Sequence, residues 1–250
     1  MKIIINKLHR KIKSQISLIK IKIKERKHQK RLKYLYLRKK ESDTLIIVFS
    51  AFTGNVRRYN YVKALKDVCA DRLYILDDFG VKGSYYLFEN GEIHPQNLVR
   101  SLIKRITCEK KYKKIITVGS SKGGTCAIYF GLEFNANEIY SGACQYNLGS
   151  YLHREDHEDI FKGMMGENAG DVEARILNET MPEQIKKYSN ANSLIHIVYS
   201  KQDLTYERQL VDLMNCLKQN KVSYIEKEYF FENHDEIGIY FIKYLNERLK

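Results

Sequence analysis

One hexapeptide constrains this 250-residue chain more than any other feature: Gly119-Ser120-Ser121-Lys122-Gly123-Gly124. It follows directly on the apolar, β-branched run Ile115-Ile116-Thr117-Val118 and leads directly into Thr125 to Leu132, a stretch with helical spacing. A G-x-S-x-G string between a buried strand and a helix is a sharp turn that lifts a serine hydroxyl to the end of a sheet. Its glycines let neighbouring backbone approach closely. The first N–H groups of the helix, and its dipole, face the point where negative charge would develop on an attacked carbonyl. A nucleotide-binding turn fits less well, because the chain has no G-x-G-x-x-G and no Walker spacing to G-K-S/T.

A serine is a weak nucleophile until a base takes its proton, and the base needs an acid to orient it. In strand-to-helix serine turns the acid and then the histidine follow later in the chain. Asp203 fits the first position, in the loop Ser200-Lys201-Gln202-Asp203 after the apolar run Leu194 to Tyr199. His234 fits the second, between a last predicted strand (Val222 to Phe231) and a last predicted helix (Asp235 to Leu249). Glu207 and Asp212 are the alternative acids, less suited because they fall on a helical stretch. Two backbone donors are needed to hold an oxyanion. Lys122 N–H, directly after the serine, is one; the other is expected from Ser50-Ala51-Phe52, at Phe52 N–H, with Ala51 next.

The remaining runs set the fold class. Leu45-Ile46-Ile47-Val48-Phe49 and Leu73-Tyr74-Ile75-Leu76 read as buried strands, and Tyr61 to Cys69, Leu98 to Lys111 and Tyr206 to Leu217 as helices. Strands alternating with helices predict an α/β fold, a mostly parallel sheet with helices on both faces. The alternation lapses between Leu148 and Asn190, which predicts a cap-like insertion at about 148–190, over the carboxyl ends of the strands, with helical patches at Asp156–Met165 and Pro182–Tyr188.

Charge divides the chain. Residues 1–40 hold 16 Lys and Arg against one acid, Glu25, whereas the other 210 residues hold 27 against 29. The sequence therefore reads as a basic N-terminal arm (1–40) and a nearly neutral domain (41–250). Ile4, Leu8, Ile12, Ile16, Ile19 and Ile23 recur every three or four residues, the pattern of a basic amphipathic helix, although Leu18 to Lys24 also alternates as a strand would. Such an arm suits packing on the body or a partner, an anionic membrane face, or an acidic polymer. Nucleic acid is disfavoured, because no reading module is present and the body is slightly acidic.

With 44% hydrophobic residues the chain is not disordered throughout. No apolar run is long enough to span a membrane, and no secretory leader is expected. Five scattered cysteines without a CxxC spacing argue against a disulfide framework or structural zinc and for a reduced, cytoplasmic setting. His153 and His157 are spaced i, i+4 among acids, but read as a solvated helix start rather than a metal site; His94 reads as a turn residue, His196 as a core histidine and Cys126 as packing.

Phe49-Ser50-Ala51-Phe52, Tyr59-Asn60-Tyr61-Val62-Lys63, Gly83-Ser84-Tyr85-Tyr86, the Gly119–Gly124 string, Lys201-Gln202-Asp203 and His234-Asp235 together resemble the bacterial capsular polysaccharide O-acetyltransferases. The resemblance covers residues 44–245. It implies an α/β-hydrolase fold, the triad Ser121–Asp203–His234, acetyl-CoA as co-substrate with no bound cofactor or metal, and a surface-polysaccharide hydroxyl as acceptor. The Lys122 side chain, or lysines of the arm, would then help hold CoA phosphates or an anionic polymer. The arm would place the protein at the inner face of the membrane or on the capsule-synthesis machinery. A serine esterase or deacetylase acting on a glycan, and a non-catalytic capsule-locus protein with this fold, are the alternatives.

Overall fold

The computed structural model describes residues 21–52 and 57–250. Among them the apolar runs assemble into an eight-stranded sheet. In chain order the strands are β1 (Arg26–His28), β2 (Leu32–Leu37), β3 (Thr44–Phe49), β4 (Asp71–Ile75), β5 (Lys114–Ser120), β6 (Glu138–Gly142), β7 (Leu194–Tyr199) and β8 (Tyr224–Glu228). In space they lie β1-β2-β4-β3-β5-β6-β7-β8. From β4 through β8 all neighbours are parallel; β1 and β2 add antiparallel at one edge.

Burial on both sides explains the unbroken apolar runs. On β3, Leu45, Ile47 and Phe49 enter one core, while Ile46 and Val48 enter another on the opposite face. Each such side chain contributes about 1.5–3 kcal/mol when fully buried, so neither face can stay bare. The first face is covered by α1 (His94–Glu109), α2 (Lys122–Glu133), α3 (Leu148–Leu152), α4 (Glu158–Met165), α5 (Asp171–Lys187) and α6 (Val211–Gln219). The second is covered by α7 (Ile237–Leu249) and by the turns carrying Leu65 and Val68. α2 is buried at every position from Lys122 to Leu132, as expected of a helix at the centre of such a layer.

Three expectations are corrected. The charge boundary at residue 40 is not a structural boundary, because β1 and β2 belong to the sheet. The cations of β2 and of the turn that joins it to β1 are matched by acids of the body: Lys33 Nζ lies 2.6 Å from Asp78, and Arg31 lies 3.3 Å from Asp78 and 3.2 Å from Glu89. The predicted arm helix, Ile4 to Ile23, lies outside the described residues as far as residue 20, and residues 21–24 are helical. Tyr61 to Cys69 forms turns rather than a helix, and Arg72 Nη1 donates to the carbonyls of Leu65 (2.8 Å) and Lys66 (2.9 Å). The segment 148–190 divides in two. α3 reaches the strand ends, whereas α5 lies beside α2, with Gln184 Nε2 donating to Tyr129 O at 2.8 Å.

Candidate active site

The turn after β5 is as tight as its sequence requires. Ser121 has φ 50° and ψ −127°, an unusual conformation for a residue with a side chain. It joins strand to helix within one residue, and its N–H donates to Gly142 O at 2.7 Å. A Cβ on Gly119 would lie 2.0 Å from the Gly123 carbonyl oxygen, and one on Gly123 would lie 2.6 Å from Phe49 O. Both glycines are therefore required by close backbone approach.

The sheet brings Ser121, His234 and Asp203 together at the carboxyl ends of β5, β8 and β7. Ser121 Oγ lies 3.0 Å from His234 Nε2, and His234 Nδ1 lies 2.8 Å from Asp203 Oδ2. A carboxylate only accepts, so Nδ1 carries the proton and Nε2 is free to accept the serine proton. Burial alone would raise the Asp203 pKa, but hydrogen bonds from His234 and Thr205 outweigh it and hold the carboxyl below its ordinary value. The loops bearing Asp203 and His234 are fastened together by Ser200, whose Oγ donates to Phe231 O (2.6 Å) and accepts from Phe231 N–H (3.1 Å). Asn233 caps the turn that begins with His234 by accepting from Asp235 N–H at 3.1 Å.

Of the alternative acids, Asp212 accepts from Asn147 Nδ2 at 2.7 Å, and it is Asp203 that meets His234. For the oxyanion donors, Ala51 N–H is already engaged with Asn60 Oδ1 at 3.0 Å, which favours Phe52 of the pair. Lys122 begins α2, where its N–H has no partner within the helix.

The Lys122 side chain overturns an expectation. It is 1% exposed, and its Nζ lies 2.5 Å from Asp77 Oδ2. A side chain committed to an interior carboxylate is not available to CoA phosphates or to a polymer.

Sequence reasoning missed several residues at the site. Gln145, buried after β6, donates from Nε2 to Ser121 Oγ at 3.3 Å. Thr205 donates from N–H (3.0 Å) and Oγ1 (2.9 Å) to Asp203 Oδ1, and its Oγ1 lies 3.0 Å from His234 Nδ1. Tyr151, on α3, lines two hollows that also share His234. One, of about 430 Å³, contains Phe52, Ser121 and Tyr61. The other, of about 1050 Å³, is walled by Asn147, Arg154, Glu207, Arg208 and Asp212. Glutamines, threonines and tyrosines carry no motif, so their roles emerge only from the fold.

Among the described residues no group of three or more His, Cys, Asp or Glu is placed to hold a metal ion. His157 instead packs on the Tyr151 ring, with centroids 4.6 Å apart, and His153 on the Phe161 ring at 4.8 Å. His196 is fully buried and stacked on Tyr140, and Cys126 is buried behind the elbow. Nor is any helix among these residues long and apolar enough to cross a membrane.

No protein-family model matches the chain, and no curated relative matches it by sequence. Solved structures do match. The capsule O-acetyltransferase of Neisseria meningitidis serogroup A superposes with a TM-score of 0.73 at 23% identity, covering 87% of this chain and 91% of that one. A histidine-to-alanine mutant of that enzyme in complex with CoA matches with the same score and identity, over 88% and 91%. A chain of the Gap123 glycosylation-associated complex of Streptococcus agalactiae matches at 0.72 and 19%, covering 87% of this chain and 44% of that one. The serine hydrolase FphF of Staphylococcus aureus matches at 0.61 and 12%, over 88% and 92%. At these identities the likeness is one of fold: this chain has the α/β-hydrolase type of fold, shared with a capsule O-acetyltransferase and with serine hydrolases.

Proposed function

We propose that the chain is a serine O-acetyltransferase that moves an acetyl group from acetyl-CoA, through an acetyl-Ser121, to a hydroxyl of a capsular or other surface polysaccharide. The observation that carries this reading is the hydrogen-bonded series Ser121 Oγ–His234–Asp203 at a positive-φ strand-to-helix turn. The fold shared with a capsule O-acetyltransferase, and the CoA bound to a mutant of that enzyme, support the donor and acceptor classes.

In the first half-reaction His234 Nε2 accepts the Ser121 proton as Oγ attacks the thioester carbonyl. Asp203 stabilises the resulting imidazolium and keeps its ring in place. The oxyanion is held by the N–H groups of Phe52 and Lys122, each worth about 3 kcal/mol of barrier. The C–S bond breaks, His234 returns its proton to sulfur, and CoA leaves as the thiol. In the second half a sugar hydroxyl gives its proton to His234 Nε2 and attacks the acetyl-serine carbonyl. Ser121 leaves with that proton, and the acetate ester is formed on the sugar.

Intact-protein mass after mixing with acetyl-CoA tests this. One added acetyl group on the wild type, absent from Ser121→Ala, is the expected result. No adduct together with no CoA release from the wild type would overturn the donor assignment.

The serine hydrolase neighbours favour a second reading, an esterase or deacetylase in which water replaces the sugar hydroxyl. Acetate release from an acetylated glycan without any need for acetyl-CoA would select it.

The basic N-terminal residues fit contact with an anionic membrane face. Sedimentation with anionic vesicles, comparing the full chain with one lacking residues 1–20, tests that contact; equal sedimentation of both would refute it.

A further inference from the structure

Lys122 carries a charge into a place where charge is costly. Its ammonium lies 2.5 Å from Asp77 Oδ2, and both side chains are essentially inaccessible to solvent. Asp77 Oδ2 also accepts from Ser84 N–H at 2.9 Å, while Oδ1 has no partner among the described residues. Buried ion pairs are a poor source of stability, since apolar replacements of similar volume often do as well or better. This pair calls for another reason, and its surroundings supply one.

Two loops meet the pair from different strands. Asp77, just after β4, donates its N–H to Ser50 Oγ at 3.1 Å. Ser50 is the first residue after β3, and its Oγ and N–H both donate to Tyr86 OH, at 2.8 and 2.9 Å. Tyr86 OH in turn donates to Ile75 O at 2.8 Å. The Lys122 ammonium also faces the ring of Phe52, 5.3 Å from its centroid, and that of Tyr86, at 5.1 Å. Gly83 is needed at this point, because a Cβ there would come within 2.9 Å of both Asp77 Oδ2 and Lys122 Nζ.

The two backbone groups assigned to the oxyanion, at Phe52 and Lys122, belong to separate loops. We infer that the Lys122–Asp77 ion pair is a positioning device for the oxyanion hole: it holds the Ser50–Phe52 loop and the Ser121–Lys122 elbow at one separation. This rests on the acyl-serine reading above. Lys122 thus acts twice, by its N–H at the reacting carbonyl and by its side chain through Asp77 and Phe52.

The test uses p-nitrophenyl acetate as a small acyl donor and the full chain. Lys122→Met alone strands a buried carboxylate, so the informative variant is Lys122→Met/Asp77→Asn, which leaves no unpaired charge. We expect kcat to fall roughly 10- to 100-fold, the scale set by misplaced catalytic geometry. KM should hold, and the pH profile of kcat/KM should keep its inflection, because His234 and Asp203 are untouched. Wild-type kcat in a double variant that melts like the wild type would overturn the inference.

Should the double variant fail to fold, Phe52→Leu decides. It keeps the ion pair and removes the ring under the ammonium; a several-fold loss of kcat supports positioning, and an unchanged kcat refutes it. Ser121→Ala separates the two readings. If it hydrolyses the ester as fast as the wild type, the acyl-serine reading itself has failed. If wild-type turnover requires Ser121 and the paired variants match it, only the role of the pair has failed.

Discussion

His234 Nε2 lies 3.0 Å from Ser121 Oγ, although 113 residues separate them in the chain. The contact depends on two strand ends and on the ring orientation that Asp203 fixes. Asp203→Asn would offer Nδ1 an amide that donates as readily as it accepts, and so favour the wrong tautomer. Turnover of an acyl donor is expected to fall by about 10³- to 10⁴-fold, with the fold retained. Steady-state kinetics beside a melting curve would check this; a loss under tenfold would remove Asp203 from the mechanism.

His196 predicts a pH dependence of stability. It is buried against Tyr140, its Nδ1 lies 2.8 Å from Tyr244 OH, and Glu138, Lys114 and Arg248 surround it. Burial lowers its pKa to about 4, with only Glu138 pulling the other way. The unfolded chain therefore binds a proton at higher pH than the folded one, and stability falls as pH drops from 6.5 toward 4. The loss attributable to His196 is up to about 3 kcal/mol. On acidification the melting temperature of the wild type should fall further than that of His196→Phe, which keeps a ring stacked on Tyr140. Parallel pH curves would remove His196 as the source.

Truncation at the charge boundary is expected to damage the fold. Removing residues 1–40 strips β1 and β2 from the sheet and uncovers β4, whose Leu73 and Ile75 share a core with Leu32 and Tyr34. Four such apolar side chains alone represent several times about 1.5–3 kcal/mol. The shorter chain should aggregate or melt far lower, while removal of residues 1–20 leaves the described sheet whole. Size-exclusion elution and melting of the two truncations would decide it.

The parts legible in the sequence are those with a local cause. Glycine spacing around Ser121, an unbroken apolar run at β3, and loop positions for Asp203 and His234 all follow from backbone sterics and two-sided burial. β6 was hidden because Glu138 and Ser141 flank only two strongly apolar residues, Ile139 and Tyr140. β1 and β2 were hidden by their lysines and arginines, whose partners Asp78 and Glu89 lie more than 40 residues away. The inward course of the Lys122 side chain was hidden for the same reason: its carboxylate, Asp77, is 45 residues distant.

The backbone of Ser121 has one more consequence. A residue with a side chain held at φ 50° and ψ −127° costs on the order of 1–3 kcal/mol relative to a relaxed turn. Glycine adopts that conformation without the penalty. Ser121→Gly is therefore expected to disable acyl transfer and, in the same molecule, to raise the melting temperature by several degrees. The tougher protein would be the idle one, and the difference between the two melting temperatures would measure the tension at which Ser121 is held.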